Sequence, residues 1–184
     1  AFLLCNIEAA KASKRFIQTD LNRSFLVKDV ITTEHKRAVE IASIVKRSKF
    51  ILDLHQTIEP TEKEFFIFEH IPKLIKIAHS LLPEIPIVTF SLGGFSESGK
   101  TVLEFATTVG STALAIECGE KGYNPQITTK IVKLIYKLIN KLELNDLPET
   151  TESIEVNNLS KSIVNEEGSY LIKGLKNHMK LIKG

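Results

Sequence analysis

Two short strings and one acid carry the side chains with chemical reach: Asp20-Leu21-Asn22-Arg23, Asp53-Leu54-His55, and Glu117 closing the apolar run Ala113-Leu114-Ala115-Ile116. A carboxamide beside a guanidinium can hold a carboxylate, because the planar fork of arginine matches its two oxygens. An imidazole ending a buried strand can ligate a metal while its other nitrogen is oriented by an acceptor. A carboxylate ending another apolar strand can shuttle protons when its surroundings tune it. Taken together these groups would suit a zinc hydrolase acting on a carboxylate-bearing substrate. Each also has a plainer reading. Arg15 and Arg23 could be surface arginines paired with Asp20 or Glu8, and Asn22 could cap a turn. His55 could be a satisfied buried histidine, and Glu117 an ordinary strand-end acid.

The elements that must position these groups are legible from periodicity. Residues 1–6 read as a strand, and residues 13–32 as an irregular polar stretch around the first string. From Thr33, apolar residues at Ala38, Ile41, Ala42 and Val45 trace one helix face. Phe50–His55 and Phe65–Phe68 are strand-like runs, with Asp53 and His55 on one face of the first. A helix follows with Pro72 in its first turn and Ile71, Leu74, Ile75, Ala78, Leu81 and Leu82 inward. Next come the strand Ile87–Phe90, a helix over 101–108 and the strand Thr112–Glu117. Asn124-Pro125 then opens a long helix burying Ile127, Ile131, Leu134, Ile135, Leu138 and Leu142. On another stripe of that helix, Lys130, Lys133, Lys137 and Lys141 read as a solvated face.

This alternation predicts an α/β three-layer sandwich with a mixed, largely parallel sheet. Strand carboxyl ends collect sites in such sheets, so His55 and Glu117 are expected on one rim, facing one cavity with Arg15 and Arg23. A boundary is expected near 150, where Leu147-Pro148-Glu149-Thr150-Thr151 turns linker-like. Residues 1–150 would form the catalytic α/β domain, cut at its N-terminus. Residues 151–184 would begin a small β-rich domain, with strand-like pieces at 153–156, 162–164 and 170–172.

Composition bounds the rest. The chain has 184 residues, 43% hydrophobic and 25% charged, enough for one sizeable core. Net charge of +2 makes no electrostatic case for nucleic acid, and no run reaches membrane-spanning length. Cys5 and Cys118 sit apart in apolar contexts and read as reduced and buried, which points to the cytoplasm by default. A homo-oligomer is compatible with all of this.

The segment Asn6–Phe25, with Lys14-Arg15 leading into Asp20-Leu21-Asn22-Arg23-Ser24-Phe25 at its end, resembles the succinylglutamate desuccinylase/aspartoacylase family, relatives of the zinc carboxypeptidases. The resemblance continues at Asp53-Leu54-His55-Gln56-Thr57 and Phe65-Phe66-Ile67-Phe68, and returns at Ile116-Glu117-Cys118-Gly119. It implies a zinc-carboxypeptidase-like fold, a Zn2+ cofactor and hydrolysis of an N-acyl amino acid or a similar small carboxylate amide or ester. By the same resemblance, His55 would be a zinc ligand and Glu117 the general base. Arg15 would polarise the scissile carbonyl, and Asn22 with Arg23 would hold the substrate carboxylate. The remaining zinc ligands of the family come from a His-x-x-Glu string, which would lie ahead of Ala1. In this sequence His35, His70, His79 and His178 are isolated.

A rival motif spans Gly94-Phe95-Ser96-Glu97-Ser98-Gly99-Lys100-Thr101, which fits the phosphate-cradling pattern G-x-x-x-x-G-K-[ST]. Nucleotide binding through it is the second reading. The acid that would end a later strand as magnesium ligand is an aspartate in that pattern, whereas here the next strand ends in Glu117. A non-catalytic α/β binding module is the third reading.

Overall fold

Local chemistry sets where the helices start. The computed structural model describes residues 1–57, 61, 63–90, 101–143, 154 and 156–158. A short helix α1 (Ile7–Lys11) follows Asn6, whose side-chain oxygen accepts the Ala9 N–H. The strand expected over residues 1–6 does not form. Phe2, Leu3 and Leu4 are exposed, and the Leu4 and Cys5 carbonyls accept hydrogen bonds from the Arg37 guanidinium rather than from a strand ladder. A single 3-10 turn (Leu21–Arg23) interrupts the irregular stretch. Helix α2 (Thr33–Val45) is capped by the Thr32 hydroxyl, which accepts the His35 N–H.

Strands β1 (Phe50–Thr57) and β2 (Phe65–Glu69) precede helix α3 (Pro72–Leu81), with proline at its first position. Strand β3 (Ile87–Phe90), helix α4 (Val102–Thr108), strand β4 (Thr112–Glu120), helix α5 (Pro125–Glu143) and the short β5 (Asn157–Asn158) complete the order. At the start of α5, Asn124 Oδ1 accepts the Gln126 and Ile127 N–H groups, as an N-cap asparagine should.

The sheet runs β1-β4-β2-β3-β5. Thr112 N–H bonds Lys49 C=O at one end of the β1–β4 pair and Lys121 N–H bonds Thr57 C=O at the other, so the two strands are parallel. Strands β2 and β3 are parallel, as are β3 and β5, while β2 and β4 are antiparallel with Phe65 opposite Glu117. The sheet is mixed and largely parallel, as the alternation of runs predicts.

The chain forms two compact units. The first comprises residues 1–51 and 91–113, and the second residues 52–90 and 114–184. In the first, Leu21, Phe25, Ala38, Ile41, Val45, Leu103, Phe105 and Ala106 are buried, and the rings of Phe25 and Phe105 lie 5.9 Å apart. In the second, Phe66, Phe68, Ile77, Leu81, Leu114, Ile116 and Leu134 are almost wholly inaccessible. Along α5 the full burial expected of six residues narrows to Ile131, Leu134 and Leu138.

The lysine stripe on α5 is largely the solvated face expected of it, with Lys133 and Lys137 exposed and Lys130 and Lys141 half-buried, and two of its members also make specific bonds. Lys130 pairs with the buried Glu64 at 2.9 Å, and Lys137 donates to the Leu81 carbonyl at 2.9 Å. Leu81 closes α3, where the last carbonyls lack partners within the helix. The two lysines therefore tie α5 to the start of β2 and the end of α3. The phosphate-loop residues 94–100 and the expected β-rich pieces lie outside the described residues, apart from positions 154, 156, 157 and 158.

Candidate active site

In the second unit, the period of β1 puts Asp53 and His55 on one face, and a hydrogen bond joins them. His55 Nε2 lies 2.7 Å from Asp53 Oδ2, with the aspartate side chain 14% exposed and the histidine 35%. A carboxylate accepts, so in a neutral ring the tautomer that satisfies this bond has its proton on Nε2 and its lone pair on Nδ1. Leu54, Gln56 and Cys118 line a cleft on the other face, beneath Ile127, Ile131 and Ile135 of α5. Alternation along β4 then sends Glu117 to the face that carries Asp53 and His55. Glu117 is half-buried between the fully buried Ile116 and the buried Cys118.

Acids gather around these strands. Burial, and after it the charges of Glu117, Glu64 and Asp53, push the Cys118 thiol up to about 12. Cys118 is thus a neutral thiol at physiological pH and no nucleophile. Gly119 completes the Ile-Glu-x-Gly string for a steric reason. Its φ is +95°, and a Cβ there would meet Ile127 Cδ1 at 3.0 Å, so glycine lets the first turn of α5 close on β4.

In the first unit, the DLNR string winds into the 3-10 turn. Asp20 caps it by accepting the Asn22 N–H at 2.9 Å and also takes the Arg15 guanidinium at 2.8 Å. Burial raises the Asp20 carboxyl, but its bond to and the charge of Arg15, the Asn22 N–H and the Arg23 charge together hold it below the ordinary aspartate value. Asn22 Oδ1 accepts the Val102 N–H at 2.9 Å, at the start of α4. With its oxygen engaged there, the asparagine offers its amide N–H donors, the right sign for an anion. Arg23 Nη1 donates to the Asn22 carbonyl at 2.7 Å. Leu21 and Phe25 anchor the turn in the core.

Arg15 therefore occupies its plainer reading, an ion pair with Asp20 in which the arginine side chain is 54% exposed. Such exposed pairs are weak and exchange readily for another anion. Of the predicted residues, Arg15, Asn22 and Arg23 belong to the first unit, linked through Asp20. His55 and Glu117 belong to the second, on neighbouring strands.

Sequence reasoning missed Glu64 and Glu34. Glu64 is 9% exposed and held by Lys130. Glu34 is fully buried and receives the N–H groups of Ile17, Gln18 and Thr19. In the sequence it looks like any acid in a first helical turn.

Two candidate chemistries meet their test here. Thr101, the residue a phosphate loop would turn to magnesium, is buried. Its hydroxyl donates to Glu104 Oε2 at 2.7 Å and accepts the Glu104 N–H at 3.2 Å, a closed capping box. For zinc, His55 has the chemistry of a ligand oriented by a carboxylate. Among the described residues, however, no three His, Cys, Asp or Glu side chains are grouped to hold a metal ion.

Comparison with known proteins gives first the class that this mixed sheet defines. The fold is similar to that of a succinylglutamate desuccinylase from Vibrio parahaemolyticus, with a TM-score of 0.72 over 100% of this chain and 59% of that one, at 18% identity. A succinylglutamate desuccinylase from Chromobacterium violaceum gives 0.64 over 94% of this chain and 60% of that one, at 15% identity. Residues 1–142 match the model of the succinylglutamate desuccinylase/aspartoacylase catalytic domain, and the chain belongs to that family. A probable aspartoacylase of Nostoc sp. is 26% identical over 151 residues, 77% of this chain and 51% of that protein. The chain thus spans about half the length of the curated relative it matches. No helix among the described residues is long and apolar enough to cross a membrane.

Proposed function

We propose that the chain is the catalytic part of a zinc-dependent hydrolase that cleaves the amide, or an ester, of an N-acyl amino acid or similar small carboxylate. The observation that carries this is the Asp53-held imidazole of His55 on the sheet face shared with Glu117, in a chain of the desuccinylase/aspartoacylase family. His55 would hold the zinc through the nitrogen not given to Asp53. Bound zinc supplies a water acidified to a pKa of about 7.

The chain's own groups would do the rest. Glu117 takes a proton from the attacking water and returns it to the leaving amine as the C–N bond breaks. Arg15, released from Asp20, stabilises the carbonyl oxygen as negative charge grows there. The Asn22 amide and the Arg23 fork hold the substrate carboxylate. Two thiols outside any disulfide, Cys118 buried as expected and Cys5 exposed instead, suit a cytosolic setting.

The test is release of primary amine from a panel of N-acyl amino acids by the zinc-loaded full-length protein. Glu117→Gln is expected to lower kcat by roughly a hundred- to ten-thousandfold, the range for loss of a general base. Asn22→Ala is expected to act mainly on KM. A zinc-loaded protein that releases no amine from any member of the panel, or a Glu117→Gln variant with full activity, overturns the proposal.

A further inference from the structure

Glu34 is the most deeply buried acid among the described residues, with 0% exposure, and the reaction outlined above leaves it unused. A buried carboxylate without compensation is strongly unfavourable. Among the described residues no lysine, arginine or histidine forms an ion pair with it. Its charge is met by backbone instead. Oε1 accepts the Ile17 N–H, and Oε2 accepts those of Gln18 at 3.2 Å and Thr19 at 3.4 Å. Asn6 Nδ2 adds a long contact at 3.5 Å, and the acid sits in the first turn of α2, where the helix dipole favours negative charge. Burial raises the Glu34 carboxyl, but these N–H groups outweigh it and hold it below the ordinary glutamate value.

Three consecutive N–H groups converging on one carboxylate form an anion nest turned inside out: the protein supplies the anion, and the nest is the segment being shaped. That segment lies between Arg15 and Asp20. Its neighbours extend the clamp. Thr19 Oγ1 bridges to Thr32 Oγ1 at 3.0 Å and Ser24 Oγ at 3.4 Å, and Gln18 Oε1 accepts the Thr33 N–H at 2.8 Å. The chain on either side of the Glu34 carboxylate thus leads directly to Arg15 and to Asn22 with Arg23. Glutamine would fit the volume but presents a single acceptor oxygen and an N–H2 group to N–H donors.

We propose that Glu34 is a positioning residue, which through the N–H groups of Ile17, Gln18 and Thr19 sets the placement of Asn22 and Arg23 and so the affinity for the substrate carboxylate. This rests on the carboxylate-holding role given to Asn22 and Arg23 above. Glu34 touches no substrate. It fixes the turn that carries the groups that do.

The experiment uses the full-length protein with Glu34→Ala and Glu34→Gln, and with Glu8→Gln, an exposed acid on α1, as control. The first reading is hydrogen exchange of the amides at 17–19, which needs no substrate. Protection there is expected to fall in Glu34→Ala and return with added formate, a small carboxylate that fits the vacated nest. The second is steady-state kinetics on an N-acyl amino acid. KM is expected to rise roughly ten- to hundredfold with a smaller change in kcat, the scale of about an ångström of misplacement. Formate is expected to bring KM back in Glu34→Ala and leave the wild type and Glu8→Gln unmoved.

Unchanged protection at 17–19, or folded variants with wild-type KM, overturns the proposal, as does failure of both variants to fold with or without formate. Lost protection in Glu34→Ala, together with a wild type that cleaves no N-acyl amino acid, sinks the assigned reaction and leaves the clamp standing. The two failures are therefore distinguishable.

Discussion

Replacing Asp53 by asparagine isolates what holds His55 in place. The substitution keeps shape and volume and removes the charge of the group 2.7 Å from Nε2. That distance is typical of a charge-assisted N–H···O bond, and the aspartate side chain is only 14% exposed, so water cannot take over its role. A hydrogen bond to a charged partner contributes about 1.5–3 kcal/mol and a neutral one about 0.5–1.5, so the exchange should cost about 1 kcal/mol of folding stability. The effect on metal should be larger. An asparagine can turn either its oxygen or its amide to Nε2, so the proton, and with it the lone pair that would face a metal, is no longer fixed on one nitrogen. Loss of such an orienting partner typically weakens metal binding ten- to hundredfold, or about 1.4–2.8 kcal/mol. Chelator competition on the full-length protein would measure zinc affinity, and urea unfolding of the metal-free protein would measure stability. Zinc affinity within about twofold of wild type, with His55→Ala still abolishing binding, would show that Asp53 does not orient the ligand.

Two further predictions follow from the same geometry. In the native protein a thiol reagent at neutral pH should modify the exposed Cys5 quickly and leave Cys118 untouched until the chain unfolds, since the Cys118 thiol is pushed up to about 12; rapid labelling of both contradicts the placement of Cys118. Glu34 and Asp20 both titrate below their ordinary values of 4.5 and 3.8, so the folded state binds fewer protons than the unfolded chain. Their contribution is complete above those values and drains away as pH falls below them, and urea midpoints should drop across that window more steeply in the wild type than in Glu34→Gln. Equal slopes in the two proteins would refute the account of Glu34.

Much of the fold could be read in advance because its signals are local. Asn124-Pro125, Pro72 and Thr101 mark helix starts through contacts within one turn, and the apolar runs at 50–55, 65–68 and 87–90 form strands as read. Strand β1, however, ends the described sheet order and is half-buried, with Leu54 46% exposed, rather than covered on both faces. The misreading at residues 1–6 has the opposite cause. An apolar run becomes a strand only where another strand can pair with it, and Arg37 takes the Leu4 and Cys5 carbonyls instead. The lysine stripe reads correctly as a solvated face, but the bond from Lys130 to the buried Glu64 was not legible, for a similar reason: its partner lies 66 positions away.

The sequence alone determined the roster of chemical groups, their order, the element that carries each and the family they belong to, because those follow from residue type and near-neighbour spacing. Only the tertiary structure decided that Asp53 holds His55, that Asn22 spends its oxygen on Val102, and that Glu34 shapes the segment beside them. The last is a carboxylate answered by backbone N–H groups, and backbone is the one partner that leaves no mark in the amino-acid code.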